Sequence, residues 1–457
     1  MTVHFIGIGG AGMSGIARIL LARGERVTGS DARESATVLA LRALGAEVHI
    51  GHDPAHLPDP PATVVVSTAI RESNPELAAA RARGLTVEHR STALAGLTRG
   101  RTLAAVTGTA GKTSTTSMLT VALQHCGLDP SFAIGGDLAT SGSGAHEGTG
   151  DIFVAEADES DASFLAFSPE VAIVTNVEAD HLDHYGSPAA YVAAFDEFLG
   201  RITPGGTLVT CVDDTGAAAL ADTARGRGIT VRTYGRAEGV GDVDARFVAF
   251  RPDGSGARIT ASLDGVEHRL RLPVPGEHMA LNALAALLAG VALGAPPEGL
   301  LEGLAGFDGV RRRFEFRGRA AGVAVYDDYA HHPTKVAAQL RAARDVAGAG
   351  RVVVAFQPHL YSRTREFARE FGAALGLADE VVVLDVYGAR EDPEPGVSGA
   401  LVAENVPLAP EHVRFVPRWA EVPAVVAGMA RSGDLVITMG AGDVTVLAPE
   451  ILLELSR

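Results

Sequence analysis

The chain has 457 residues, 47% of them hydrophobic, and carries 39 lysines and arginines against 55 aspartates and glutamates, a formal net charge of −16. At roughly 100–200 residues per domain this length calls for about three domains, and the negative balance repels polyanions, which excludes nucleic acid and anionic membrane surfaces as main partners. Residues 1–10 hold no basic leader region, and no run approaches the roughly 18 apolar residues of a membrane span, so the expectation is a cytoplasmic protein, a monomer or homodimer, that works on small molecules.

The first apolar run, residues 4–8, leads into Gly7-Ile8-Gly9-Gly10-Ala11-Gly12. A glycine loop that closes a strand and opens a helix aims free backbone amides and the positive helix end at a phosphate. Asp31 ends the next strand, where a dinucleotide fold places an acid on a ribose hydroxyl. From fold alone NAD is therefore the first expectation, although such a loop does not distinguish NAD from another diphosphate. A further run, 63–67, ends at Ser67.

Residues 103–107 form a strand that feeds Gly108-Thr109-Ala110-Gly111-Lys112-Thr113-Ser114. Backbone amides, an ammonium and a hydroxyl converge there on a triphosphate, with magnesium on Thr113. Val106 stands where a strict P-loop has its first glycine, so this is the shorter Thr-Gly-Thr-x-Gly-Lys-Thr form. The runs 152–155 and 171–175 follow; the first delivers Glu156, Asp158, Glu159 and Asp161, and the second Thr175-Asn176-Val177-Glu178-Ala179-Asp180-His181. Open parallel sheets place ligands at these carboxyl ends. Magnesium takes one or two protein carboxylates, so Glu156 is the expected ligand beside Thr113, His181 marks a second position, and Asp161 reads as a helix cap. Cys126 and Cys211 lack zinc-type spacing and read as reduced, buried thiols.

Between residues 244 and 272 the pattern changes: runs at 246–250, 257–263 and 266–272 are separated by Asp253-Gly254 and Asp264-Gly265, which predicts a small antiparallel meander. Strand-like runs return at 323–326, 352–356, 381–384 and 435–438, each followed by a helical pattern. Boundaries near 97–101 and 309–313 divide the chain into 1–98, 99–311 and 312–457. The fold class is α/β with three domains: N-terminal Rossmann-like, a central P-loop ATPase-like parallel sheet with the meander, and C-terminal Rossmann-like. Adjacent histidines in an extended segment point apart, so His331-His332 is not expected to bind zinc.

Taken together, Phe5 to Gly15, the Gly-Lys-Thr loop, Glu156-Ala157-Asp158-Glu159-Ser160-Asp161 and Thr175 to His181 resemble the Mur ligases of cell-wall synthesis. Matches continue in Arg312-Arg313-Phe314-Glu315, in Asp327-Asp328-Tyr329-Ala330-His331-His332-Pro333-Thr334, in Gln357-Pro358-His359 with Ser362-Arg363-Thr364-Arg365, and in Gly440-Ala441-Gly442. The alanine-adding branch is the nearest. The resemblance implies an ATP- and magnesium-dependent ligase of peptidoglycan precursor synthesis that joins L-alanine to the carboxylate of UDP-N-acetylmuramate through an acyl phosphate. It moves the first loop from NAD to the UDP diphosphate, with Gly9, Gly10, Ala11 and Gly12 as contacts and Asp31 and Ser67 beside uridine or ribose. It assigns Lys112, Glu156, His181 and Arg313 to catalysis, with Thr113, Glu156 and His181 on magnesium. His278, Asn282 and Asp328 join the phosphate loop on ATP, and His331, His359 and Arg363 meet the amino acid or the sugar carboxylate.

The chain departs from the family pattern at Ala110, where a histidine is usual, at Met279 for asparagine and at Leu360 for arginine; Phe195 lies near where some relatives carry a carbamylated lysine. These departures leave open a paralogue with another amine or carboxylate, a ligase that recycles a preformed tripeptide, and a non-catalytic nucleotide sensor.

Overall fold

The computed structural model describes residues 2–236, 243–389 and 391–457, without the side chains of Ala11 and Asp183. It is a three-domain α/β protein organised on three sheets. The first holds β1 (Thr2–Ile6), β2 (Arg26–Asp31), β3 (Glu47–Ile50), β4 (Ala62–Val66) and β5 (Thr86–His89) in the order β3-β2-β1-β4-β5, every pair parallel. The order reverses between β1 and β4, which opens a ligand crevice at the carboxyl ends of these strands. The strand expected at 4–8 stops at Ile6 because Gly7 turns the chain at φ +80°, and the Gly7 and Ile8 amides fold back onto the Ser30 carbonyl at 2.8 and 3.0 Å.

A buried carboxylate secures this first domain. Glu76 opens the helix Pro75–Ala82 and is fully buried, yet its oxygens accept the Asp53 amide and His56 Nδ1, both at 3.0 Å, the Ser30 hydroxyl and His4 Nε2 at 3.5 Å. Burial alone would raise its pKa, but the hydrogen bonds outweigh that penalty and hold the carboxyl at about 2.

The central sheet contains β6 (Thr102–Thr107), β7 (Ser131–Ala133), β8 (Ala145–His146), β9 (Ile152–Glu156), β10 (Val171–Val174), β11 (Thr207–Cys211), β12 (Thr230–Gly235), β13 (Ala245–Asp253), β14 (Gly256–Leu263) and β15 (Val266–Leu272). Its order is β15-β14-β13-β12-β11-β10-β6-β9-β7-β8. Strand β6 lies between β10 and β9 and parallel to both, so three motif-bearing carboxyl ends are neighbours. Leu103, Ala104, Ala105 and Val106 are all buried, as a strand covered on both faces requires. The meander appears where the turn pairs place it, and Asp264 and Gly265 both take positive φ, 48° and 83°, the signature of a two-residue hairpin turn. Behind the sheet, Tyr191, Phe195 and Phe198 are fully buried with Phe164, whose ring lies 5.2 Å from Phe195 and 4.9 Å from Phe198.

By compactness the chain forms two units: Met1–Phe247 with Ala261–Glu267 and Leu281–Gly306, and Val248–Thr260 with His268–Ala280 and Phe307–Arg457. The first sheet and strands β6 to β12 of the second thus share one unit, in which Ile16, Ala17, Leu94 and Leu97 of the N-terminal domain join Ala145 and Phe153 of the central one in a single core.

The second unit carries the third sheet: β16 (Glu315–Ala320), β17 (Val323–Asp328), β18 (Val352–Phe356), β19 (Glu380–Val383), β20 (Val413–Phe415) and β21 (Leu435–Met439), ordered β16-β17-β21-β18-β19-β20. All pairs are parallel except edge strand β16, antiparallel to β17. Strand β16 reads Glu-Phe-Arg-Gly-Arg-Ala, so no apolar run announces it. Among the described residues no helix is long and apolar enough to cross a membrane. Cys211 is buried as expected, but Cys126 is only half-buried, because it caps the end of the helix Lys112–His125 rather than packing within it.

Candidate active site

The phosphate loop is shaped by two glycines in the left-handed half of φ, Gly108 at 126° and Gly111 at 87°. A methyl group at Gly108 would overlap Thr175 Oγ1, and one at Gly111 would stand 2.6 Å from Asn282 Oδ1. These contacts show what holds the loop. Asn176 Oδ1 accepts the Ala110 amide at 2.8 Å, Thr175 donates its hydroxyl to the Ala110 carbonyl at 2.6 Å, and Thr109 Oγ1 donates to the Glu178 carbonyl and pairs with Tyr191 Oη, both at 2.9 Å. Ala110 takes part through its backbone, so the departure from histidine leaves this latch intact. Ser114 is buried in the first turn of the following helix. That helix starts at Lys112 and aims its free amides into the loop.

Lys112 Nζ donates to the Gly108 carbonyl and to Glu159 Oε1, both at 2.8 Å. Burial disfavours the ammonium, but the charges of Glu159, Asp158 and Glu156 prevail and raise its pKa, so it stays protonated. Thr113 donates its hydroxyl to Glu156 Oε1 at 3.1 Å, while Glu156 Oε2 accepts the Gly135 amide at 2.7 Å. The pairing of one hydroxyl with one carboxylate at a phosphate loop suits magnesium, a hard cation that fills its remaining positions with phosphate oxygens and waters. Among the described residues no group of three or more His, Cys, Asp or Glu side chains could form a protein cage for a metal, and magnesium needs none.

His181 sits in the left-handed region at φ 54°, with Nε2 3.7 Å from Glu159 Oε1 and 3.6 Å from Asp180 Oδ2. The structure therefore brings it to Glu159 and Asp180. Glu159 is fully buried, meets both Lys112 and His181, and accepts the Tyr185 hydroxyl on its carbonyl. Asp161 Oδ1 accepts the Ser163 amide at 3.1 Å, but the 3-10 turn that follows starts from Ala162 and has no side-chain cap, so Asp161 does not cap a helix as expected.

At the first glycine loop, Asp31 Oδ2 accepts the Gly9 amide at 2.8 Å, which fixes the acid of β2 against the loop. Gly10 caps the helix Ala11–Ala22, so Ala11 and Gly12 contribute its first amides. Ser67 follows β4 at the crevice, its carbonyl accepting the Ile70 amide at 3.0 Å.

In the second unit, Asp328 ends β17 with one oxygen on the Phe314 amide at 2.8 Å and the other on the Ala330 amide at 2.7 Å. Burial pushes this carboxyl up to about 6, against the pull of Arg313 and those two amides. Arg312 and Phe314 both hold positive φ, 60° and 50°, a strained bend that sets Arg313 with its guanidinium carbon 5.1 Å from the centre of the Tyr329 ring. His331 Nδ1 lies 2.8 Å from the Tyr329 carbonyl, its ring 5.9 Å from that of His359, and Arg363 Nη1 is 3.5 Å from His359 Nδ1. Arg313 and His331 thus both meet Tyr329, and His359 and Arg363 continue the row from His331. The ring of His278 is desolvated, which lowers its pKa to about 4, and its Nε2 is buried without a hydrogen-bond partner.

Sequence reasoning passed over three residues of this site. Glu159 stood among the four acids, Asn176 within the third motif, and Tyr191 carried no signal at all. Only packing shows what each one holds.

Three family models match in succession: Mur ligase family, catalytic domain, over residues 2–102; Mur ligase middle domain over 106–290; and Mur ligase, glutamate ligase domain, over 312–442. The chain is 63% identical to a UDP-N-acetylmuramate–L-alanine ligase of Saccharopolyspora erythraea, covering 100% of this chain and 93% of that one. It is 58% identical to the Mycobacterium tuberculosis protein of the same name, covering 99% and 94%. Among solved structures, UDP-N-acetylmuramate-alanine ligase of Thermotoga maritima superposes with a TM-score of 0.82 at 30% identity, covering 99% of this chain and 98% of that one. A murein peptide ligase of Psychrobacter arcticus shares the fold, with a TM-score of 0.73 at 24% identity over 100% and 99%.

Proposed function

Because this chain belongs to the Mur ligase family, we propose that it joins L-alanine to the lactyl carboxylate of UDP-N-acetylmuramate at the expense of ATP, in the cytoplasm. The observation that carries the chemistry is the convergence of Lys112, Thr113 and Glu156 at the carboxyl ends of β6 and β9. The amine and the sugar nucleotide follow from full-length relatives at 58–63% identity, all named for alanine addition. A peptide-adding activity is named among solved structures at 24 and 28% identity, well below the alanine-adding relatives.

In the proposed reaction a carboxylate oxygen attacks the γ-phosphorus of ATP and ADP leaves, giving an acyl phosphate. The alanine amine then attacks the acyl carbon, phosphate departs with that oxygen, and the ammonium proton is lost. Two anions meet in the first step, so Lys112 offsets charge that builds on the γ-phosphoryl oxygens. Magnesium, held by Thr113 and Glu156 with His181 close to the acid turn, would neutralise the β- and γ-phosphates. The first glycine loop is assigned the UDP diphosphate, in place of NAD. Asn282 and Asp328 are assigned to ATP with His278, whose buried Nε2 offers an adenine a hydrogen bond. The Arg313, His331, His359 and Arg363 group serves the sugar carboxylate and the incoming amino acid.

A phosphate-release assay with single omissions tests this assignment. Release should require ATP, magnesium, UDP-N-acetylmuramate and L-alanine together, and the tripeptide should support under about a tenth of the alanine rate. Equal release without the sugar nucleotide, or a preference for the tripeptide, overturns it.

A further inference from the structure

Between the first glycine loop and the acid turn after β9 lies a side chain that neither motif contains. Arg90 follows β5 directly and opens the helix Arg90–Leu97, at the same crevice as the first loop. A methyl group placed on Gly12 would stand 3.1 Å from Arg90 Nη1, so Gly12 is small where the guanidinium lies over the start of the loop's helix. The other terminal nitrogen of the same guanidinium, Arg90 Nη2, donates to Asp158 Oδ2 at 2.8 Å, in the acid turn of the central domain.

Asp158 organises that turn. Its Oδ1 accepts the Ser160 amide at 3.1 Å, and its carbonyl accepts the Phe164 amide at 3.0 Å and the Ser163 hydroxyl at 3.1 Å. Beside it His89 Nε2 lies 3.9 Å from Asp161. The turn carries Glu159 onto Lys112. A single guanidinium therefore touches the floor of one anion site and the frame of the other.

Resting on the assignment of the first loop to a diphosphate, we propose that Arg90 is a positioning residue that couples the two phosphate sites. A diphosphate on the first loop fixes the guanidinium, which holds Asp158 and so presets the acid turn that faces Lys112. The nucleotide then binds a turn that is already ordered, and the two sites assist each other by equal factors.

Calorimetric titration of the full chain with UDP and with the non-hydrolysable ATP analogue AMP-PNP, in magnesium, reads this coupling. Saturating UDP should tighten AMP-PNP about 5-fold or more, and AMP-PNP should tighten UDP equally. Arg90→Met should bring the factor close to one, Arg90→Lys should keep part of it, and Asp158→Asn, which leaves the arginine in place, should abolish it as Arg90→Met does. A wild-type factor of one, or a full factor in either Arg90→Met or Asp158→Asn, overturns the proposal; should Arg90→Met fail to fold, Asp158→Asn decides. A wild-type chain that binds AMP-PNP and no UDP overturns the assignment of the first loop, and this proposal with it.

Discussion

Replacing Lys112 with alanine should lower kcat for phosphate release on the order of 10³-fold or more, since it removes the cation that faces the transferred phosphoryl group. The substitution also has a structural cost that must be separated from the chemical one. Lys112 is the ammonium that neutralises Glu159, whose side chain is fully buried. Removing the ammonium from such a buried ion pair costs about 3–5 kcal/mol, enough to lower Tm markedly. The variant Lys112→Met with Glu159→Gln removes both charges together. It should regain most of the lost Tm while remaining as inactive as the single variant. A double variant that recovers turnover along with stability would show that Lys112 acts only through the fold.

The second large effect is expected at Glu156. Glutamine keeps the shape of the side chain and can keep one of the two contacts, to Thr113 or to the Gly135 amide, so the fold should stand with Tm within a few degrees. It removes the charge proposed to hold magnesium beside Thr113. Turnover should fall about 10²-fold or more, and the magnesium concentration for half-maximal rate should rise. Titration of magnesium at saturating substrates reads both. An unchanged magnesium requirement would remove Glu156 from the metal site.

The parts of this site that were legible in the sequence lie where backbone geometry demands a residue type. Gly108 and Gly111 hold φ values that only glycine takes freely, and Lys112 and Thr113 sit at fixed offsets from them. Glu156 ends a strand whose buried run could be read directly. The meander was readable for the same reason, because Asp264-Gly265 is a turn before it is anything else. Residues whose role depends on a neighbour far along the chain were not legible. Arg90 reaches Asp158 across 68 positions, and Thr109 meets Tyr191 across 82. The fold-level NAD expectation gave way to the family resemblance for a related reason, since the loop and Asp31 suit a diphosphate on a Rossmann-like sheet and carry nothing about what a diphosphate is attached to. Strand β16 escaped notice because an edge strand rich in charge shows no apolar run.

The central claim, that a carboxylate is activated by phosphoryl transfer before the amine arrives, is tested most directly by following oxygen. UDP-N-acetylmuramate labelled with ¹⁸O in its lactyl carboxylate should, on reaction with ATP and L-alanine, pass one labelled oxygen to each inorganic phosphate and keep the other in the new amide. Phosphate released without label would mean that water, and no carboxylate, had received the phosphoryl group, and the acyl-phosphate account would be wrong.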